Sequence, residues 1–188
     1  RYSTFDEEDP YVAAELNQYR ILSLSEDGFS PQLWAHYGGT YSGICLCFKT
    51  DGVFSKIKPV QYITGQKSRM CEISEFPNWD EHFLDKHVGW SYEKEWRVVE
   101  KTEQTYLDFL LDDIMCIIIG CRINEECLNI LKDYFPKTVH ILKASPGYRT
   151  FCVKVEPFKE TYSYDGSSAD IIYTSKELLQ HICNTKMR

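Results

Sequence analysis

Two short stretches of the chain hold side chains that could do chemistry. The first is Lys86-His87-Val88-Gly89-Trp90-Ser91-Tyr92-Glu93-Lys94-Glu95-Trp96-Arg97. The run from Trp90 to Glu100 reads as a strand, because Trp90, Tyr92, Trp96, Val98 and Val99 are strand formers. Alternate residues of a strand share a face. Glu93, Glu95 and Arg97 then point one way, and Tyr92, Lys94 and Trp96 the other. Carboxylates two residues apart on a strand lie about 7 Å apart. They can act on one bound group, one binding it and the other stabilising positive charge. A solvated strand face with Arg97 paired to Glu95 has the same pattern.

The second stretch is Ile21-Leu22-Ser23-Leu24-Ser25-Glu26, followed by Leu33-Trp34-Ala35-His36-Tyr37-Gly38. Ser23 and Ser25 share a strand face opposite Leu22 and Leu24, and a polar face on an apolar strand can line a cleft. Trp34, His36 and Tyr37 follow on a short helix. Aromatic planes with nearby hydroxyls suit a heteroaromatic ligand, by stacking and hydrogen bonding. The expectation is that this helix forms one wall of a ligand cleft. Trp34 and Tyr37 as core anchors, with His36 on the surface, is the structural alternative. The candidate catalytic residues are Glu95, Glu93 and Ser23. The candidate ligand-binding residues are Ser25, Trp34, His36, Tyr37, Lys86 and Arg97.

Other chemistries find little support in the spacing. The five histidines show no His-x-x-x-His pair, so no metal site is predicted. There is no Gly-rich phosphate loop and no Gly-x-Ser-x-Gly elbow. The eight cysteines contain no Cys-x-x-Cys pair. Most lie in apolar segments such as Ile44-Cys45-Leu46-Cys47-Phe48, where cysteine packs as a small hydrophobe. All eight are expected to be reduced thiols, which fits a cytoplasmic location.

The elements that must position these residues follow from caps, breakers and periodicity. Asp9-Pro10 opens a helix to about Gln18. Arg20–Ser25 alternates as a strand. Ser30-Pro31 starts the helix Gln32–Tyr37, and Gly38-Gly39 stops it. Ser42–Lys49 is apolar on both faces and reads as a central strand. Val60–Ile63 is a short strand, residues 64–80 an irregular connection, and Asp80–His87 a helical segment. Thr105–Asp112 reads as a short helix and Ile114–Gly120 as a buried strand. Asn124 caps a helix that runs to Phe135. Thr138–Lys143 and Arg149–Val155 form a hairpin through Ser145-Pro146-Gly147. A polar loop, Tyr162–Asp170, precedes a last helix from Thr174, whose Thr174 and Glu177 make a capping box. Strands outnumber helices without strict alternation. The fold class is therefore α+β, with a mixed, twisted sheet and short flanking helices.

The chain has 188 residues, 43% of them hydrophobic, enough for one compact domain spanning 1–188. Residues 157–188 read as a peripheral C-terminal extension. The net charge of −7 argues against nucleic acid as a whole-surface partner. No stretch has the roughly 20 apolar residues of a membrane span. A small-molecule ligand is the expected partner, and no oligomeric state is read from the sequence.

The ordered set Arg20-Ile-Leu-Ser-Leu-Ser-Glu26, Leu33-Trp-Ala-His-Tyr-Gly38, Gly43-Ile-Cys-Leu-Cys-Phe48 and Lys86…Trp90-Ser-Tyr-Glu-Lys-Glu-Trp-Arg97 resembles the bacterial domain of unknown function family 2971. That family's first strand, with a Tyr-Lys-Tyr-like pattern, is absent here, either lying upstream of Arg1 or lost. A further analogy is to toxin-type ADP-ribosyltransferases, which are similar in carrying an Arg, a Ser-x-Ser strand and a Glu-x-Glu strand. Ser23-Leu24-Ser25 and Glu93-Lys94-Glu95 match the last two. The analogy implies that Glu95 bonds the nicotinamide-ribose hydroxyl and steadies an oxocarbenium-like transition state. It implies that Glu93 positions the acceptor, that Ser23 holds Glu95, and that NAD is the substrate rather than a resident cofactor. The alternatives are a non-catalytic ligand- or protein-sensing module in bacterial stress or phage defence, and a divalent-metal nuclease using Glu93 and Glu95.

Overall fold

The computed structural model describes residues 14–64, 79–135 and 139–158. The chain divides into two compact units. The described part of the first is residues 14–26, 53–64 and 79–108. That of the second is residues 27–52, 109–135 and 139–158. Each unit draws on two separate stretches of chain, so no single cut in the sequence separates them. The α+β class stands, with strands dominating and the helices short.

The first unit is built on strands β1 (Tyr19–Ser25) and β6 (Glu95–Lys101), paired antiparallel with Ser25 opposite Glu95 and Ser23 opposite Arg97. A two-residue strand, β3 (Lys58–Pro59), lies on the other side of β6. Proline is tolerated at such an edge because no ladder bond is asked of its missing N–H. Beside this sheet, β4 (Gln61–Ile63) and β5 (Asp85–His87) pair in parallel, with Tyr62 opposite Lys86. The apolar core of the unit is small, with Phe54, Val60, Leu84 and Val98 buried.

The second unit holds a mixed four-stranded sheet. Its order is β2 (Ile44–Phe48), β7 (Ile114–Gly120), β8 (His140–Pro146) and β9 (Val153–Pro157). Only the β7–β8 pairing is parallel. β7 is apolar on both faces because both are covered. Ile114, Ile117 and Ile119 pack with Leu131 of the helix Glu125–Tyr134, while Cys116 and Ile118 pack with Trp34, Tyr41, Leu142 and Val155. Asn124 caps that helix by accepting the Cys127 N–H at 2.7 Å. Gly120 is required, since a Cβ there would fall 2.0 Å from the Tyr41 carbonyl oxygen.

Four expectations are corrected. Trp90–Glu100 is not one strand: Val88–Glu93 is a 3₁₀ helix and β6 begins at Glu95. The cause is local, because His87 caps the turn through Gly89 N–H (3.1 Å) and Lys94 closes it in the left-handed region. Asp80–His87 is not one helical segment but the turn of helix Trp79–His82 followed by β5, whose ladder with β4 outcompetes continued helix. Residues 105–110 are not helical; a 3₁₀ turn, Leu111–Asp113, forms instead, with the Asp113 carboxylate accepting the Leu110 N–H at 2.7 Å. Within its described sheet β2 is an edge strand rather than a central one, pairing with β7 alone. Cys45 and Cys47 pack, partly buried, on one side of the sheet and Leu46 and Phe48 on the other, and apolar patterning cannot tell such partial packing from a second strand neighbour. Of the first predicted helix, residues 14–16 are helical and its start lies outside the described residues. So do most of the 64–80 connection, the Tyr162–Asp170 loop and the helix from Thr174.

Candidate functional site

The first unit gathers six of the nine candidate residues: Ser23, Ser25, Lys86, Glu93, Glu95 and Arg97. Glu93 and Glu95 are buried, at 4% and 6% exposure. An isolated carboxylate so placed would cost several kcal/mol, so its partners decide whether it can be there. The Glu95 carboxylate is gripped from two sides. Arg97 donates from Nε to Oε1 at 2.7 Å and from Nη2 to Oε2 at 3.1 Å. Lys86 Nζ donates to Oε2 at 2.7 Å and also bonds Glu93 Oε2. Ser23 adds a side-chain hydrogen bond to Glu95.

Each grip has a backbone cause. Arg97 follows Glu95 by two on β6, so both side chains leave the same face. Ser23 and Ser25 lie across from them on β1, which the antiparallel register puts on that face too. Lys86 and Tyr62 are partners across the β4–β5 ladder, and both reach Glu95. Lys86 takes the carboxylate, while the Tyr62 hydroxyl accepts the Glu95 N–H at 2.7 Å. Arg97 Nη1 is further anchored on the Phe83 carbonyl.

Glu93 arrives by another route. It ends the 3₁₀ helix, and Lys94 then adopts φ 45°, ψ 52°. This single left-handed residue reverses the chain enough to let two carboxylates, from two different elements, meet one ammonium. Ser25 Oγ donates to the Glu93 carbonyl at 2.7 Å, and Glu26 N–H to the Lys94 carbonyl at 3.2 Å.

The electrostatics follow from these contacts. Burial pushes the Glu95 pKa up, but hydrogen bonds from Arg97, Lys86 and Ser23 and the Arg97 charge outweigh it, holding the group down at about 2. Burial pulls Lys86 down, and its bonds to Glu93 and Glu95 more than reverse that, so its net shift is upward. At neutral pH Glu95 is therefore a fixed anion. The Trp90 ring, 41% exposed, lies with its centroid 5.4 Å from Lys86 Nζ and 6.0 Å from the Tyr92 ring.

Trp34, His36 and Tyr37 belong to the second unit. Trp34 is a core residue there, stacked on Tyr41 at 5.5 Å and donating from Nε1 to the Gly28 carbonyl at 2.9 Å. His36 and Tyr37 are exposed on the helix end.

Residues 33–98 match the model of a family described as "Protein of unknown function (DUF2971)". That bears out the family resemblance, and the matched segment includes Lys86, Glu93, Glu95 and Arg97 but leaves Ser23 and Ser25 upstream of it. No curated protein and no solved structure matches the chain. Among the described residues no helix is long and apolar enough to cross a membrane.

Tyr62, the Phe83 carbonyl and Trp90 also contact these residues (Glu95, Arg97 and Lys86 in turn) and were not among the candidates read from sequence. Tyr62 lies far from Glu95 in the chain and reaches it because β3 pairs with β6 and Val60 N–H bonds the Glu95 carbonyl at 2.9 Å. Trp90 carried a signal, its place three residues before Glu93. In a 3₁₀ helix that spacing puts both side chains on one edge, whereas strand alternation separates them.

Proposed function

We propose that this site cleaves the nicotinamide–ribose bond of NAD, transferring ADP-ribose to an acceptor or releasing it to water. The observation that carries the reading is the buried Glu95 carboxylate, held ionised and hydrogen-bonded by Ser23. An acid with a pKa of about 2 is a poor proton donor at neutral pH. This bond needs no proton donor, because a pyridinium leaves as neutral nicotinamide. It needs negative charge near the sugar carbon as oxocarbenium character develops, and a pre-fixed carboxylate supplies that without reorganising.

Arg97, Lys86 and Ser23 together fill about four acceptor positions, the capacity of one carboxylate. A ribose hydroxyl must therefore replace one donor. Ser23 is neutral and exposed, and neutral hydrogen bonds are about half as strong as charged ones, so it gives way first. In this reading Glu93, which shares Lys86 with Glu95, orients the acceptor.

The test is incubation with NAD and measurement of free nicotinamide. Glu95→Gln keeps the shape and loses the charge. Turnover should fall by about a hundredfold or more, the size typical of electrostatic catalytic groups. Nicotinamide release at the wild-type rate by the Glu95→Gln protein would remove Glu95 from the chemistry.

A second reading is favoured by the charge balance. Two carboxylates meet two cations, as a module that senses a ligand or protein without catalysis would arrange them. It predicts saturable ligand binding with no nicotinamide released. The divalent-metal nuclease has the least support. Both carboxylates are already paired with cations, and among the described residues no cluster of three or more His, Cys, Asp or Glu could hold a metal. Magnesium-dependent cleavage of nucleic acid would revive it.

A further inference from the structure

Among the described residues, the Glu93-Lys94-Glu95 turn is the one place where a left-handed non-glycine residue lies between two buried carboxylates. Lys94 is neither Gly, Asn nor Asp, the residues that enter the left-handed region most readily. A conformation of this kind persists only where its surroundings over-determine it. Here the surroundings are specific: Ser25 Oγ holds the carbonyl before Lys94, Glu26 N–H holds the Lys94 carbonyl, and Tyr62 OH holds the N–H after it. Lys94 N–H closes the turn on the Ser91 carbonyl at 3.2 Å. Without the turn, Glu93 would continue either the 3₁₀ helix or the strand, and Lys86 could not bridge both carboxylates.

We propose that Ser25 and Tyr62 are positioning residues for Glu93 and Glu95, acting through the main chain on either side of the left-handed Lys94. Ser25 sets Glu93 by its hydroxyl on the Glu93 carbonyl, and Tyr62 sets Glu95 by accepting its N–H. The proposal rests on Glu95 being the working carboxylate, as argued above, but its first test needs no substrate.

That test follows the side-chain carboxyl carbon of Glu95 by NMR against pH, assigned by comparison with Glu95→Gln. In the wild type the signal stays at its ionised position through the ordinary carboxylate range near pH 4. In Ser25→Ala and Tyr62→Phe the midpoint should move up by about one unit or more, toward that range, because the carboxylate no longer meets both cations squarely. Ser25→Thr keeps the hydroxyl and should titrate like the wild type. Adding Lys94→Gly to Ser25→Ala should restore the low midpoint, since glycine holds the left-handed turn without help. Thermal melting of each protein separates a shifted carboxylate from a partly unfolded one. If Ser25→Ala and Tyr62→Phe both melt cooperatively and leave the Glu95 midpoint at its wild-type position, the positioning role is overturned. Nicotinamide release is read on the same proteins. Its absence in the wild type overturns the NAD reaction and leaves the titration result standing.

Discussion

The two units bury different things. In the second, the buried set is dominated by aliphatic side chains, with Ile114, Ile117 and Ile119 wholly covered along one strand. In the first, a handful of apolar residues share the interior with two carboxylates. Apolar burial stabilises in proportion to area, and many side chains of similar size could supply it. Carboxylate burial stabilises nothing by itself. It is tolerated only where named donors meet named oxygens, and replacing such a network with apolar groups is often neutral or favourable. An arrangement of that kind is therefore weak evidence for stability.

Removing a core side chain from the second unit should produce the largest effect on stability. Ile117→Ala deletes buried methyl groups from a sheet covered on both faces and should cost about 2–5 kcal/mol. Denaturant unfolding measures it. A loss well under 1 kcal/mol would mean that the apolar half of the comparison is mistaken.

The first unit should reveal itself through pH. The folded-state pKa of Glu95, about 2, lies below its ordinary value of 4.5. Between these values the unfolded chain binds the proton and the folded one does not. Stability from this group is thus present above about pH 4.5 and is lost as the pH falls toward 2. Glu95→Gln should flatten that part of the acid limb, read as melting temperature from pH 5 down to pH 3. An unchanged limb would show that the ion pairs do not couple to folding.

The smallest effect belongs to an ion pair of the same unit on the surface. Lys56 Nζ lies 2.9 Å from Glu100 Oε1 with the lysine well exposed. Solvent and salt screen such pairs. Lys56→Ala should leave the melting temperature unchanged within error, at low and at physiological salt. A clear drop would show that in this unit burial is not what separates strong pairs from weak ones.

The sequence by itself determined the elements whose signals are local. β7 is an unbroken apolar run, Asn124 is a cap at the head of its helix, and the Ser23-Leu24-Ser25 alternation gives a strand with one polar face. It also singled out six candidates that share one unit, Ser23, Ser25, Lys86, Glu93, Glu95 and Arg97, because they are polar groups set among strand-forming neighbours. Only the tertiary structure decided how they meet. Alternation put Glu93 and Glu95 on one strand, whereas the chain places them on different elements joined through a left-handed lysine. The β3–β6 pairing brings Tyr62 in from a distant part of the chain, and the parallel β4–β5 ladder sets Lys86 beside it as the bridge between the carboxylates. Trp34, similar in type to Trp90, went into an apolar core. The reason is physical: a cap or an apolar run is fixed by neighbours within a few residues. The ionisation and partners of a buried carboxylate are fixed by whatever the completed fold brings to its oxygens.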